Sequence, residues 1–198
     1  MNEKERRELL GAVAEAVAVI EGCREFAALI PEVRTNIVYA ARDAQGPEDV
    51  AAVDGRITVV NGMPRAAGRP RLGASSHMAR AIVEARKLGA TERAGINFAN
   101  DPHLAEWLRE YCRSKDWVFG HIDRGQEPAE MQREDVPSMP WKVRTMMSST
   151  GGRLPKVGYE TGAVGKEPVS ALFGDDAVIV AQEMCEIARQ YKRPRRSW

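Results

Sequence analysis

Between Arg56 and Arg86 the chain sets Arg56, Arg65, Arg69, Arg71, Arg80 and Arg86 against a single acid, Glu84, a local charge of +5. All six cations are arginines, whose planar fork of donors suits bidentate contact with phosphate or carboxylate better than a lysine ammonium does. Within this stretch runs Arg69-Pro70-Arg71-Leu72-Gly73-Ala74-Ser75-Ser76-His77. Gly73, Ala74, Ser75 and Ser76 are small enough for backbone N–H groups to approach an anion, and a helix starting near His77 adds the positive end of its dipole. The expected chemistry is the cradling of a compact phosphorylated ligand. His77 follows the loop, and its imidazole suits a proton shuttle or a hydrogen bond to a phosphate oxygen near neutral pH. The same letters also describe solvated surface arginines and an ordinary helix start capped by Ser75 or Ser76. The segment is not a Walker loop, a GxGxxG fingerprint or a GxSxG elbow, since His77 occupies the final glycine position.

Two later segments carry polar groups at the ends of elements. Asp123-Arg124 follows the apolar run Trp117 to Ile122, where open α/β sheets present ligand-binding residues. Asp123 is a candidate for magnesium or a ring nitrogen, with a salt bridge to Arg124 as the competing reading. Gly162-Ala163-Val164-Gly165-Lys166-Glu167-Pro168 is a glycine-rich loop that presents Lys166 as a second anion contact, or else a plain turn between strands. His103 and His121 have no metal-site spacing with each other or with His77. Cys23, Cys112 and Cys185 stand too far apart for a CxxC pair and are expected as buried thiols.

These residues must be positioned by a chain of 198 residues, 43% hydrophobic and 29% charged, a composition that suits one folded domain over 1–198 and excludes disorder. The net charge of +1 excludes a globally basic nucleic-acid binder. It divides into the arginine stretch, a basic tail (Arg189, Lys192, Arg193, Arg195, Arg196) of +5 read as a frayed end, and a remainder of −9. The longest uncharged runs, such as Ile57 to Pro64, are only eight residues, too short to span a membrane. Glu3, Glu5, Glu8 and Glu15 break up any leader-like start, so a cytoplasmic location is expected.

Leu9, Val13, Val17 and Ile20 predict one helix from Asn2 to Leu29. A strand is predicted at Asn36 to Ala40 and a loop at Gly46-Pro47. Arg56 to Val60, Asn61-Gly62 and Met63 to Ala66 predict a hairpin with a type I′ turn. Gly68 to Ser76 is too rich in Gly, Pro and Ser for regular structure, and a helix follows from His77 to Leu88. Strand-helix alternation is then expected: Ala94 to Ala99, Pro102 to Arg113, Trp117 to Asp123, Pro128 to Asp135. A helix from Trp141 toward Met147, strands at Lys156 to Tyr159 and Val169 to Phe173, and a closing helix from Asp175 to Tyr191 complete the chain. The expectation is an α/β domain with a mostly parallel sheet covered by helices and a hairpin near the start.

Four ordered runs carry a family resemblance: Leu29-Ile30-Pro31-Glu32-Val33-Arg34-Thr35-Asn36-Ile37; Pro47-Glu48-Asp49-Val50-Ala51-Ala52-Val53-Asp54-Gly55-Arg56-Ile57; Pro70 to His77; and Gly162 to Pro168. Together they resemble the ThiN-type thiamine-phosphate synthase domain. The resemblance implies condensation of hydroxymethylpyrimidine diphosphate with hydroxyethylthiazole phosphate to thiamine phosphate and pyrophosphate. It implies a catalytic pair, the arginine of Gly-Arg-Ile and the histidine of Ser-Ser-His, falling here on Arg56 and His77, 21 positions apart. Cleavage would leave a pyrimidine methylene cation and a polyanion, which positive charge and preorganised N–H donors stabilise. Gly73, Ala74, Ser75 and Ser76 would complete the cradle, with Arg71, Asn36 and Lys166 as further phosphate contacts. Magnesium is the implied companion ion, although no carboxylate cage stands out. The same domain also occurs as the sensor part of archaeal transcription regulators, where the pair is not retained and a helix-turn-helix domain precedes it. The single helix expected before Ile30 is too short for such a domain. The implied partners are small phosphorylated substrates, with a homodimer as the default assembly and no membrane or nucleic-acid partner.

Overall fold

In a computed structural model, residues 1–128, 131, 138–163 and 165–191 are described. The expected helix from Pro128 to Asp135, apart from Pro128 and Met131, and the tail residues Lys192, Arg193, Arg195 and Arg196 lie outside them.

Among the described residues five α-helices, α1 (Glu3–Glu21), α2 (His77–Lys87), α3 (Pro102–Ser114), α4 (Met139–Ser148) and α5 (Ala177–Gln190), accompany nine strands. These are β1 (Ile37–Ala40), β2 (Val50–Val53), β3 (Ile57–Val60), β4 (Met63–Ala66), β5 (Pro70–Leu72), β6 (Ala94–Ala99), β7 (Phe119–Ile122), β8 (Val157–Glu160) and β9 (Val169–Gly174). Seven strands form one sheet in the order β5-β2-β1-β6-β9-β8-β7, while β3 and β4 form a separate hairpin. Ile37, Val38 and Ala40 are all fully buried, so both faces of β1 are covered, as in a layered α/β domain. The helices α1 and α5 pack on each other and on the central strands, and α2 packs on α4.

The sheet corrects the expectation of parallel strands. Every pairing is antiparallel except β7 with β8. The alternation of strands and helices suggested parallel crossovers, but β9 turns back beside β8 and inserts between it and β6. Only the β7-α4-β8 connection is a crossover between adjacent parallel strands. Two strands lacked a sequence signal. The Val-Ala-Ala-Val of β2 is half alanine, and β5 opens on Pro70 inside the Gly, Pro and Ser-rich stretch read as irregular. Proline is tolerated there because β5 is an edge strand.

The predicted first helix also divides. The α1 helix, capped where the Asn2 side chain accepts from Glu5 N–H at 2.9 Å, stops at Glu21, and a 3-10 helix then runs over Arg24–Leu29. The hairpin turn is as predicted, with Asn61 and Gly62 at φ 52° and 72°. The hairpin is pinned to the end of α1, where Glu21 accepts from Ala66 N–H at 2.8 Å and from the Arg65 guanidinium at 3.2 Å. Cys23, Cys112 and Cys185 are free and buried. No helix among the described residues is long and apolar enough to cross a membrane.

Candidate active site

A cavity of about 480 Å³ opens beside α2, α4 and the strands β7, β8 and β9. That size is in the usual range for small-molecule sites. Its inner wall is apolar, built from Met78 and Ala81 of α2, Met139, Val143 and Met146 of α4, and Phe173 of β9. Its mouth is formed by the turns that carry Arg34 and Lys166.

Of the residues singled out in the sequence, Arg56, His77, Ser75, Asn36 and Lys166 line this cavity. Arg56 sits at φ 69° in the tight turn between β2 and β3, and its guanidinium donates to the Val33 carbonyl. His77 is the first residue of α2, whose N-terminus has no side-chain cap. Ser76 holds the N-cap position without using its hydroxyl there. Solvent reaches His77 through the cavity, but the protein around it removes much of its hydration. That desolvation pulls the imidazole pKa down to about 4; Lys142, Arg124 and Arg56 act in the same direction, and Glu160 opposes them. The imidazole is therefore neutral at pH 7.

Asn36 lines the cavity with its side chain already engaged. Its Nδ2 donates to Val53 O at 3.0 Å and its Oδ1 accepts from Val53 N–H at 2.9 Å, clamping β1 to β2. Arg71, Asp123, Gly73, Ala74 and Ser76 are not part of the cavity lining. Arg71 pairs with Asp54 at the surface, and Asp123 caps the turn after β7 by accepting from Gly125 N–H at 2.8 Å. Gly73 supplies the φ of 69° that turns the chain out of β5, and its N–H is bonded to Val50 O at 3.0 Å. The arginine stretch therefore does not converge: Arg65 serves the end of α1, Arg86 donates to the carbonyls of Thr91 and Arg42, and only Arg56 reaches the cavity.

Three charged residues were not singled out as site candidates. Arg124, Lys142 and Glu160 line the cavity as a buried ion network. Lys142 Nζ lies 2.6 Å from Glu160 Oε1, and Arg124 bridges Glu160 to Glu127, the latter at 2.8 Å. Burial alone would raise the Glu160 pKa, but Lys142 and Arg124 outweigh it and hold the carboxyl below its usual range. Burial draws the Lys142 pKa down against the pull of Glu160. Glu160 ends β8 and Arg124 follows β7, so the parallel pair presents both at its C-terminal edge. The Asp123-Arg124 segment thus reaches the cavity through Arg124 and not through Asp123, the residue expected to bind there. Lys142 had a readable signal, since it falls on the same helical face as Met139, Val143 and Met146.

The described residues do not fit a protein-held magnesium ion. They contain no group of three His, Cys, Asp or Glu side chains able to hold a metal. Glu160 is committed to two cations, and Glu167 to the N–H groups of Glu32 and Val33.

The family model described as thiamine-phosphate synthase ThiN matches residues 12–186. The chain is 39% identical over 180 residues to thiamine-phosphate synthase ThiN of Methanothermobacter thermautotrophicus, covering 91% of this chain and 92% of that one. It is 32% identical over 164 residues to the bifunctional thiamine biosynthesis protein ThiDN of Methanocaldococcus jannaschii, covering 82% of this chain and 37% of that longer protein. Among solved structures, the C-terminal domain of a phosphomethylpyrimidine kinase superposes with a TM-score of 0.80 at 30% identity, covering 93% of this chain and 98% of that domain. With the match running through every element from the middle of α1 to the last turns of α5, the chain belongs to the ThiN thiamine-phosphate synthase family.

Proposed function

We propose that the protein condenses hydroxymethylpyrimidine diphosphate with hydroxyethylthiazole phosphate, giving thiamine phosphate and pyrophosphate. The observation that carries this reading is the meeting of Arg56 and His77, from separate turns, in one cavity with an apolar inner wall. The flat pyrimidine ring lies against Met78, Val143 and Met146. Its diphosphate faces Arg56, His77 and the uncapped N-terminus of α2, where N–H groups and the helix dipole favour an anion.

As the bond from the methylene carbon to the diphosphate oxygen breaks, both bonding electrons leave with pyrophosphate and the carbon becomes cationic. The thiazole nitrogen then donates its lone pair to that carbon. Arg56 and the His77 N–H stabilise the departing polyanion. The Arg56 guanidinium is held before reaction by its bond to the Val33 carbonyl, so little reorganisation of that donor opposes the step. In this proposal magnesium accompanies the diphosphate as its counter-ion and is not held by the protein.

The test is to incubate purified protein with both substrates and magnesium and to measure thiamine phosphate and pyrophosphate. Product formation above a protein-free control is expected. Binding of thiamine phosphate with no turnover would identify a sensor module instead.

A further inference from the structure

The mouth of the cavity carries an arginine outside the basic stretch. Arg34 is exposed, lines the cavity, and sits at φ 66°, a region that non-glycine residues seldom occupy. The turn that holds it is fastened on all sides. Arg34 N–H donates to Pro31 O at 2.8 Å, and Asn97 Nδ2 donates to Arg34 O at 3.0 Å. The Glu167 carboxylate accepts from Glu32 N–H at 3.0 Å and Val33 N–H at 2.7 Å, and Arg56 donates to Val33 O. Because Glu167 directly follows Lys166, this latch brings Lys166 to the same rim as Arg34.

No carboxylate among the described residues forms an ion pair with Arg34 or Lys166. The negative charge of Glu167 is spent on backbone donors, leaving Glu32 as the other acid on the rim. The proposed reaction brings two phosphorylated molecules into one cavity, and their like charges repel unless each meets its own cations. Arg56, His77 and the start of α2 form one such set. Arg34 and Lys166 form another, on the turns that precede β1 and β9.

We propose that Arg34 and Lys166 bind the monophosphate of the second substrate, the phosphorylated thiazole alcohol, with Glu167 as the residue that positions both. This inference rests on the synthase reading above and adds a subsite to it. Arg34→Asn keeps a residue that tolerates the left-handed backbone while removing the charge. Steady-state kinetics with each substrate varied in turn should show the KM for the thiazole phosphate rising about tenfold or more, the loss of a charge-assisted phosphate contact, with the KM for the diphosphate nearly unchanged. Lys166→Ala and Glu167→Gln should shift the same constant, and Arg34→Lys should recover part of the loss. Calorimetric titration with the thiazole phosphate alone reads the subsite without turnover and should show weaker binding in Arg34→Asn. An Arg34→Asn variant that binds the thiazole phosphate like the parent, or loses affinity chiefly for the diphosphate, overturns the subsite. Absence of turnover in the parent protein would overturn the synthase reading while the titration still judges the subsite.

Discussion

The guanidinium of Arg56 donates a hydrogen bond to the main-chain carbonyl of Val33, 23 residues earlier in the chain. One side chain thereby both faces the cavity and steadies its mouth. Arg56 is exposed and makes no ion pair among the described residues, so its removal should weigh on chemistry more than on folding. Arg56→Asn suits the φ of 69° and is expected to lower turnover by about a hundredfold or more, the usual cost of losing a preorganised donor to a leaving oxyanion. Its unfolding midpoint in denaturant should stay close to that of the parent. A variant with full turnover would remove Arg56 from the reaction.

His77 gives a prediction in pH. Its folded-state pKa of about 4 lies below the value of about 6.5 expected in the unfolded chain. The unfolded state therefore binds more protons between those values. The stabilising contribution of neutral His77 is complete above about pH 6.5 and is lost as pH falls through about 4. NMR titration of the imidazole should give a midpoint near 4 in the free protein. Pyrophosphate in the cavity adds negative charge and should raise that midpoint. An unmoved midpoint in saturating pyrophosphate would show that the anion binds elsewhere.

The network under the cavity makes a prediction in stability. Arg124 and Lys142 have side chains only 4% and 5% exposed, and together they compensate Glu160. Arg124→Met leaves Glu160 with Lys142 alone and takes the Arg124 cation from Glu127, and should cost about 3–5 kcal/mol in chemical denaturation. Replacing Arg124, Glu127, Lys142 and Glu160 together by apolar residues of similar size should cost less than the single change. A single variant as stable as the parent would mean that water reaches the network freely.

Arg71 tests the boundary of the site. Its partner is Asp54 on the surface, and neither residue lines the cavity. Arg71→Ala should leave both KM values and turnover unchanged. A substantial rise in either KM would return the loop arginine to the ligand.

The elements that declared themselves in the sequence did so through local physics. Asn61-Gly62 requires positive φ and made the hairpin readable, and Met78, Ile82 and Ala85 on one face marked α2. Strand direction was not local. Whether β9 runs parallel or antiparallel to β8 depends on which neighbour it meets, and the Gly162 to Pro168 turn between them reads equally well as a ligand loop. In the site, Arg56 and His77 were marked by their motifs and loop context. Arg71 and Asp123 had suitable chemistry, but which way each side chain turns is settled by Asp54 and by the Gly125 N–H. Arg124 and Glu160 escaped because their meaning lies in each other, 36 residues apart.

The bonds from Glu167 to the backbone of Glu32 and Val33 span 135 and 134 residues of chain. Contacts of such separation demand a large loop-closure entropy and usually form late in folding. The mouth of the cavity should therefore close after the hairpin and the helices have formed. Its two latch amides are exposed, and they should exchange hydrogen with water faster than those of β1 or β6, reporting local opening while the rest of the chain stays native.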